Sequence, residues 1–132
     1  MKSLKWLNGC NGYNVCMKIG TDIVEIARIE RALTQFDEKF KQRFLHPQEI
    51  ELVKKTASMA GFWAAKEAIS KALGCGIGSE LSFHDIIISK DSRGAPTFKL
   101  APEAQALHKI QTSSLSISHD GGFAIAVVVI HQ

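Results

Sequence analysis

The stretch Ala60–Gly74, AGFWAAKEAISKALG, is the part of the sequence that most constrains the fold. At about 100° per residue, its apolar side chains fall on one stripe of a helix, as expected for a helix that faces a core. This core stripe consists of Phe62, Ala65, Ile69 and Leu73. The opposite stripe combines small and charged residues, namely Ala60, Ala64, Glu67 and Lys71. Small residues let a second surface approach closely, so the sequence predicts a helix that is covered on both sides.

The charged pair and the glycines after this helix each have a structural and a functional interpretation. Glu67 and Lys71 lie four residues apart in the order that favours a surface ion pair, worth about 0.2–0.5 kcal/mol. The run GCGIG at Gly74–Gly78 has the composition of a left-handed helix C-cap. Alternatively, the backbone amides of this loop and the Lys71 ammonium contact a phosphate group. The run matches neither a P-loop nor a dinucleotide-binding fingerprint, so both interpretations stay open at this point.

Length and composition indicate one globular domain that is not a general nucleic-acid binder. The 132 residues are 45% hydrophobic and 22% charged, which suits a single core. The longest apolar run, Phe123–Ile130, is shorter than the roughly 20 residues that span a bilayer, and its β-branched residues favour a buried strand. Lys2 and Lys5 supply two of the three net positive charges, so the rest of the chain is almost neutral.

The N-terminal residues and the cysteines indicate a chain that is not secreted. Residues 1–16 lack the apolar core of a signal peptide, and we expect a tail there, ahead of a domain at residues 17–132 with Met17 as an alternative start. The three cysteines are Cys10, Cys16 and Cys75. They form no CxxC motif and cannot all pair with one another, which favours a reducing compartment and therefore the cytoplasm.

The order of the predicted elements indicates an α+β domain. After a strand at Lys18–Ile23, helices are expected at Glu25–Phe36, Gln48–Lys55, Ala60–Gly74 and Ala101–Ile110. Ser58 is a candidate N-cap of the central helix. Further strands are expected within 81–89 and at Thr97–Leu100, Ser114–Ser118 and Phe123–Ile130, the last two joined by a turn at residues 119–122. Helices followed by two hairpins predict an antiparallel sheet packed against the long central helix.

Asp22, at the predicted junction of the first strand and the first helix, also has two interpretations. With Glu25 three residues later it has the form of a capping box, which would satisfy free N–H groups at the helix start. Alternatively, Asp22 and Glu67 share a hard cation such as Mg²⁺, which takes one or two carboxylates and completes its shell with water and phosphate. The string SHD at 118–120 does not predict a hydrolase triad, because adjacent residues point in different directions.

Three stretches of the sequence carry a family resemblance. They are IGTDIVEIARIE at Ile19–Glu30, WAAKEAISKALGCGIG at Trp63–Gly78 with LSFHDI after it, and SISHDGGFAIAVVVI at Ser116–Ile130. In order and spacing they resemble the signature sequences of the holo-[acyl-carrier-protein] synthases, a family of 4′-phosphopantetheinyl transferases. The resemblance implies Mg²⁺-dependent transfer of phosphopantetheine from coenzyme A to a serine of apo acyl carrier protein. The second product would be adenosine 3′,5′-bisphosphate, and the pathway fatty acid biosynthesis.

The resemblance also implies roles for individual residues. Asp22 and Glu67 match the family's metal ligands, and Lys71 matches the lysine near the transferred phosphate, so these three are the expected catalytic residues. Coenzyme A contacts are implied for Lys71, Gly74, Gly76, Gly78 and His119. Carrier-protein contacts are implied for Arg28, Arg43 and Phe44. Two residues depart from the family pattern, which often has arginine in place of Phe62 and threonine in place of His46.

The resemblance further implies a homotrimer in which neighbouring subunits share each site. The run Phe123–Ile130 fits this, because it is apolar on both strand faces and one small domain cannot easily cover both. Two other functions are weighed against the transferase. One is a non-catalytic module that binds coenzyme A or an acidic carrier protein through Arg28, Arg31 and the stretch Lys39–Arg43. The other is a different Mg²⁺-dependent nucleotide enzyme.

Overall fold

The structure, a computed structural model, describes residues 16–132 and has five α-helices, five strands and a short 3-10 turn (Phe83–Asp85) in that range. The strands are β1 (Met17–Glu25), β2 (Ile86–Lys90), β3 (Pro96–Leu100), β4 (Thr112–Asp120) and β5 (Phe123–His131). The helices are α1 (Ile26–Phe36), α2 (Glu38–Phe44), α3 (Pro47–Leu52), α4 (Thr56–Ala72) and α5 (Pro102–His108). The predicted α+β class is therefore confirmed. The predicted tail, residues 1–16, lies outside the described residues except for Cys16.

The strands form two antiparallel sheets. The larger has the order β1-β5-β4, and β2 pairs with β3 in a separate two-stranded hairpin. The turn between β4 and β5 is Gly121-Gly122, whose φ angles of 59° and 87° suit a two-residue hairpin turn of the primed type. The sequence-based prediction of a four-residue turn was wrong, because His119 and Asp120 still pair with β5, opposite Ala124 and Phe123.

Helix α4 packs across the inner face of the larger sheet and is covered on both sides, as predicted. The four residues of the core stripe are buried, and so are Ala60 and Ala64 on the opposite stripe. On β1, Gly20 lies so close to α4 that a Cβ there would overlap the backbone carbonyl of Ala68. The helix begins at Thr56 with Lys55 before it as N-cap, so Ser58 is not the cap.

A buried ion pair joins α4 to the segments around it. The Lys66 ammonium is fully buried and donates to Glu49 Oε1 at 2.8 Å. It also donates to the backbone carbonyls of Phe44 at 2.7 Å and Phe83 at 3.0 Å. Burial lowers the pKa of Lys66 below its usual value, while the Glu49 carboxylate acts in the opposite direction. All three donor directions of the ammonium are therefore used, as a buried lysine requires.

Glu49 extends this pair into the hairpin and the start of α3. Its carboxylate accepts the backbone N–H of His46 at 2.7 Å and that of Ile88, in β2, at 2.9 Å. His46 precedes Pro47, the first residue of α3, and is the N-cap residue of that helix. Its ring nitrogen Nε2 bonds the His84 carbonyl at 2.7 Å, which further fixes this turn. One carboxylate thus holds a helix start and a strand in place.

The outer face of the larger sheet is apolar and exposed. In β5 every second residue faces inward and is buried, while those between point away from α4. The exposed apolar residues of this face are Met17, Ile19 and Ile23 in β1 with Phe123, Ile125 and Val127 in β5. Ile23 pairs directly opposite Ile125, so the side chains form one continuous patch across the two strands. The prediction that this run is apolar on both faces is confirmed.

The structure also bears on two further predictions, which concern membrane-spanning segments and the cysteines. None of the helices within residues 16–132 combines the length and the apolar character needed to cross a bilayer. Cys16 is disulfide-bonded, whereas Cys75 is a free cysteine. The cysteines therefore do not by themselves support the reducing compartment that their pattern suggested.

Removal of the buried ammonium should destabilise the fold strongly. Lys66→Met leaves the Glu49 carboxylate buried without its cation, and we expect a loss of about 3–5 kcal/mol in the free energy of unfolding. Lys54→Met is the matched control, because Lys54 forms an exposed pair with Glu51; it should change stability by less than about 1 kcal/mol. Urea unfolding of both variants measures the difference. Equal effects would contradict the assignment of Lys66 and Glu49 as the central ion pair.

Candidate active site

Asp22 lies inside strand β1 and not at a helix start. It pairs with Ala126 of β5, and it shares the inward face of β1 with the buried residues Gly20 and Val24. Helix α1 begins only at Ile26, and its N-cap residue makes no side-chain capping bond. The capping-box interpretation of Asp22 was therefore wrong. The strand continues past Asp22 because pairing with β5 extends to the last residue before the helix.

Lys71, in the last turn of α4, binds Asp22. Its Nζ donates to Asp22 Oδ1 at 3.0 Å, with the lysine side chain about half exposed and the aspartate side chain only 15% exposed. Within residues 16–132, Asp22 and not Glu67 is the carboxylate in ion-pair contact with Lys71. The predicted ion pair between Glu67 and Lys71 was thus wrong, and the contact instead ties the end of α4 to β1.

Glu67 belongs to the same charged cluster. It lies one helical turn before Lys71 and is partly buried. Burial raises the pKa of Glu67, and the negative charge of Asp22 raises it further, while Lys71 and Arg28 lower it. The structure therefore brings together the three predicted catalytic residues, with Arg28 of α1 near them. A carboxylate whose proton affinity is raised by burial and by a neighbouring carboxylate is a typical setting for a bound cation.

The glycine loop after α4 is a helix C-cap. Gly74 and Gly76 have φ angles of 80° and 68°, which favour glycine. The N–H groups of Gly74, Cys75 and Gly76 donate to the carbonyls of Lys71 and Ser70, at 3.0–3.2 Å, and that of Gly78 donates to Leu81 at 2.9 Å. The structural interpretation is confirmed. These amides are already bonded within the loop and lie at the negative end of the helix dipole, and the predicted coenzyme A contacts of Gly74, Gly76 and Gly78 stay predictions.

His119 lies in a different pocket from the Asp22 cluster. It is near the end of β4, and its pocket of about 190 Å³ is also lined by Ser58 and Phe62 of α4 and by Lys90 of β2. Phe62, at the position where the family often has arginine, is 2% exposed. It therefore supplies an apolar wall where the family pattern would place a charge. The predicted coenzyme A contact of His119 stays a prediction.

A basic and aromatic groove lies beside the cluster. It has a volume of about 200 Å³ and is lined by Arg28, Ile29, Ala32, Phe36, Phe40, Arg43 and Trp63. The Arg28 guanidinium lies 5.7 Å from the centre of the Trp63 ring, within reach of a cation–π contact. Sequence reasoning had assigned no role to Trp63, which lies one helical turn before Glu67. Arg28 and Arg43 thus share one surface.

Phe44 does not belong to that surface, which corrects its predicted role in carrier binding. It is fully buried, and its ring packs against Phe40, Trp63 and Phe83 with centroids 5.0–6.1 Å apart. A partner protein cannot reach it without unfolding α2. Phe44 is a core residue whose carbonyl also binds Lys66.

Comparison with known proteins gives the class of the chain. Residues 18–128 match the family model described as the 4′-phosphopantetheinyl transferase superfamily, and the chain therefore belongs to that superfamily. Within it, the chain is similar to holo-[acyl-carrier-protein] synthases. It is 59% identical to the one from Sulfurovum sp. (strain NBC37-1), over 86% of this chain and 96% of that protein.

Solved structures agree with this class. The holo-[acyl-carrier-protein] synthase of Helicobacter pylori, crystallised in complex with coenzyme A, is 57% identical and matches with a TM-score of 0.83, over 85% of this chain and 98% of that one. The synthase of Neisseria meningitidis is 36% identical with a TM-score of 0.79, over 87% and 98% of the two chains. The predicted transferase fold is confirmed.

Proposed function

We propose that this chain transfers 4′-phosphopantetheine from coenzyme A to a serine hydroxyl of apo acyl carrier protein, and so supplies holo carrier protein for fatty acid biosynthesis in the cytoplasm. The observation that carries the proposal is the convergence of Asp22, Glu67 and Lys71 from β1 and α4 on one partly buried site. The similarity to holo-[acyl-carrier-protein] synthases, one of them bound to coenzyme A, supports it.

Asp22 and Glu67 would hold the Mg²⁺ ion that such a reaction needs. The residues fit a hard cation, because both are carboxylates and their charges disfavour each other without a counter-ion. When bound, the ion would neutralise charge on the diphosphate of coenzyme A and polarise the phosphate that is attacked. Lys71, which contacts Asp22 and is half exposed, is placed to add a point charge on the same phosphate.

The transfer needs no nucleophile from the enzyme. The serine oxygen of the carrier forms a bond to the β-phosphorus of coenzyme A, and the bond from that phosphorus to the bridging oxygen breaks. Adenosine 3′,5′-bisphosphate leaves with the bond's electron pair. Glu67 is the candidate base for the serine proton, because its carboxylate belongs to the cluster at which the carrier serine would be presented.

The first test of this proposal is the mass of the carrier. Incubation of the enzyme with apo acyl carrier protein, coenzyme A and Mg²⁺ should add one phosphopantetheine per carrier, and Asp22→Asn or Glu67→Gln should slow this by at least about a hundredfold. Glu51→Gln, which removes an exposed carboxylate paired with Lys54, is the control. An unchanged carrier mass would favour the non-catalytic module, and consumption of another nucleotide would favour a different Mg²⁺-dependent enzyme.

The groove formed by Arg28 and Arg43 is the proposed docking surface for the acidic carrier. It adjoins the catalytic cluster, since Arg28 acts on Glu67 and contacts Trp63. Two guanidinium groups beside exposed aromatic edges suit a helix with acidic and apolar residues. The carrier would then present its serine directly at the cluster.

Arg28→Ala should therefore impair the use of the carrier more than the use of coenzyme A. We expect KM for the carrier to rise roughly tenfold, equivalent to about 1.4 kcal/mol, and Arg28→Glu to have a larger effect. Lys54→Ala, which removes an exposed cation that pairs with Glu51 and does not line the groove, is the control. The measurement is a separate KM for each substrate; a rise confined to coenzyme A would contradict the docking surface.

The active unit is proposed to be a homotrimer. The exposed face of β1 and β5 is a continuous apolar patch, on which Ile19 is 68% and Ile23 58% exposed. Such patches usually mark an interface with another protein chain. His119 lies in a pocket apart from Asp22 in one chain. Packing of subunits through the sheet faces would allow His119 of one chain to complete the coenzyme A site at Asp22 of another.

Mixing two inactive variants tests this shared site. Asp22→Ala and His119→Ala are each expected to be inactive, and their mixture under conditions of subunit exchange should recover part of the activity, because some sites receive both intact residues. Two Asp22→Ala preparations mixed together serve as the control. Absence of recovery despite proven exchange, or a fully active monomer by light scattering, would rule out the shared site.

A further inference from the structure

Three side chains that can ligate a metal converge behind the glycine loop. Cys75 follows α4, Glu80 lies in the loop before β2, and His108 is the last residue of α5. One donor atom from each, the thiol sulfur, a carboxylate oxygen and a ring nitrogen, lie within 4.8 Å of one another. None of the three belongs to the cluster at Asp22 or to the groove at Arg28.

The burial of His108 distinguishes this cluster from polar side chains that meet by chance on a protein surface. The residue is only 8% exposed, and its Nε2 is buried without a hydrogen-bond partner among the described residues. Glu80 Oε2 lies 3.5 Å from this nitrogen. A buried imidazole nitrogen with no partner is destabilising, so native structures usually provide a donor, a water or a metal for it.

We propose that Cys75, Glu80 and His108 bind a zinc ion at a site separate from the proposed catalytic Mg²⁺ site. Thiolate, imidazole and carboxylate together are a donor set that Zn²⁺ takes readily, whereas Mg²⁺ prefers oxygen ligands only. Three protein ligands leave the fourth tetrahedral position for a water molecule. The proposal does not rest on the transferase activity, because it concerns metal binding alone.

The distances are compatible with a tetrahedral ion after small side-chain movements. Zinc lies about 2.0–2.3 Å from its ligands, which places ligand atoms roughly 3.3–3.8 Å from one another. The 3.5 Å between His108 Nε2 and Glu80 Oε2 already falls in this range. The other pairs are at most 4.8 Å apart, so they would have to shorten by up to about 1.5 Å. Glu80 is free to move, since its side chain is 51% exposed.

The bound ion would link the glycine loop to the distant helix α5. The Cys75 thiol interacts with Glu80 and makes a long contact, 3.8 Å from its Sγ to the Ser70 carbonyl. Burial and Glu80 raise the pKa of the thiol, so zinc would displace one proton as it binds. Through Cys75, the ion would then fix the position of the loop at Gly74–Gly78, which follows α4.

The test is cobalt binding to the full chain after treatment with a chelator. In buffer with excess Mg²⁺ and no thiol reductant, Co²⁺ should bind with one equivalent per chain and give a thiolate-to-cobalt charge-transfer band that Zn²⁺ abolishes. Cys75→Ser should remove that band. His108→Gln and Glu80→Gln should each weaken binding by more than about tenfold. Asp22→Asn and His131→Gln are controls that should retain the band unchanged.

Three results would overturn the zinc site. They are the lack of a charge-transfer band in the unaltered chain, a band that survives Cys75→Ser, and loss of cobalt in Asp22→Asn with binding retained in Glu80→Gln. Should Cys75→Ser or His108→Gln fail to fold by circular dichroism, Glu80→Gln decides, because that side chain is half exposed. Failure of the transferase assay leaves all these readouts intact, so the two proposals are separable.

Discussion

The buried ion pair between Lys66 and Glu49 is the interaction on which the rest of the structure depends. It joins α4 to α2, α3, the 3-10 turn before β2 and β2 itself through hydrogen bonds of 2.7–3.0 Å. Because Lys66 must point into the core, the rotation of α4 about its axis is fixed. Glu67, the next residue, is thereby turned away from that core and towards β1. A structural lysine thus determines where the Glu67 carboxylate points.

The site itself is built from elements that are far apart in the sequence. β1 supplies Asp22, α1 supplies Arg28, and α4 supplies Glu67 and Lys71. Each charge has an opposite charge near it, and together two acids and two bases nearly cancel. Such a balanced cluster can remain partly buried at low cost, yet it can exchange one internal partner for a phosphate or a cation.

Periodic patterns predicted most of the fold, because they record burial directly. The apolar stripe of α4 and the apolar run of β5 were both found in this way. Helix and strand ends were less predictable. Asp22 was read as a possible cap since its local sequence fits one, but nine residues of pairing with β5 extended the strand through Glu25. Local sequence contains no information on that pairing.

Side-chain partners were the least predictable part of the site. Lys71 pairs with Asp22, which lies 49 residues earlier, and not with its helical neighbour Glu67. Lys66 lies four residues after Phe62 and three before Ile69, so its place on the core stripe was a detectable signal that it needed a buried partner. Nothing in the sequence identified Glu49 as that partner. The cluster of Cys75, Glu80 and His108 has no motif spacing and depends on how α5 folds back.

The close approach of β1 to α4 at Gly20 has a consequence for how sequence changes at the site should be interpreted. No side chain exists at position 20, and the strand rests directly on the helix backbone at Ala68. Asp22 is two residues further along the same face. Because Gly20 has no side chain, β1 lies directly against α4, and this close approach sets the distance between Asp22 and Lys71. A larger residue at position 20 would push β1 away from α4. In the proposed transferase it would lower activity by displacing Asp22, although position 20 itself carries no functional group.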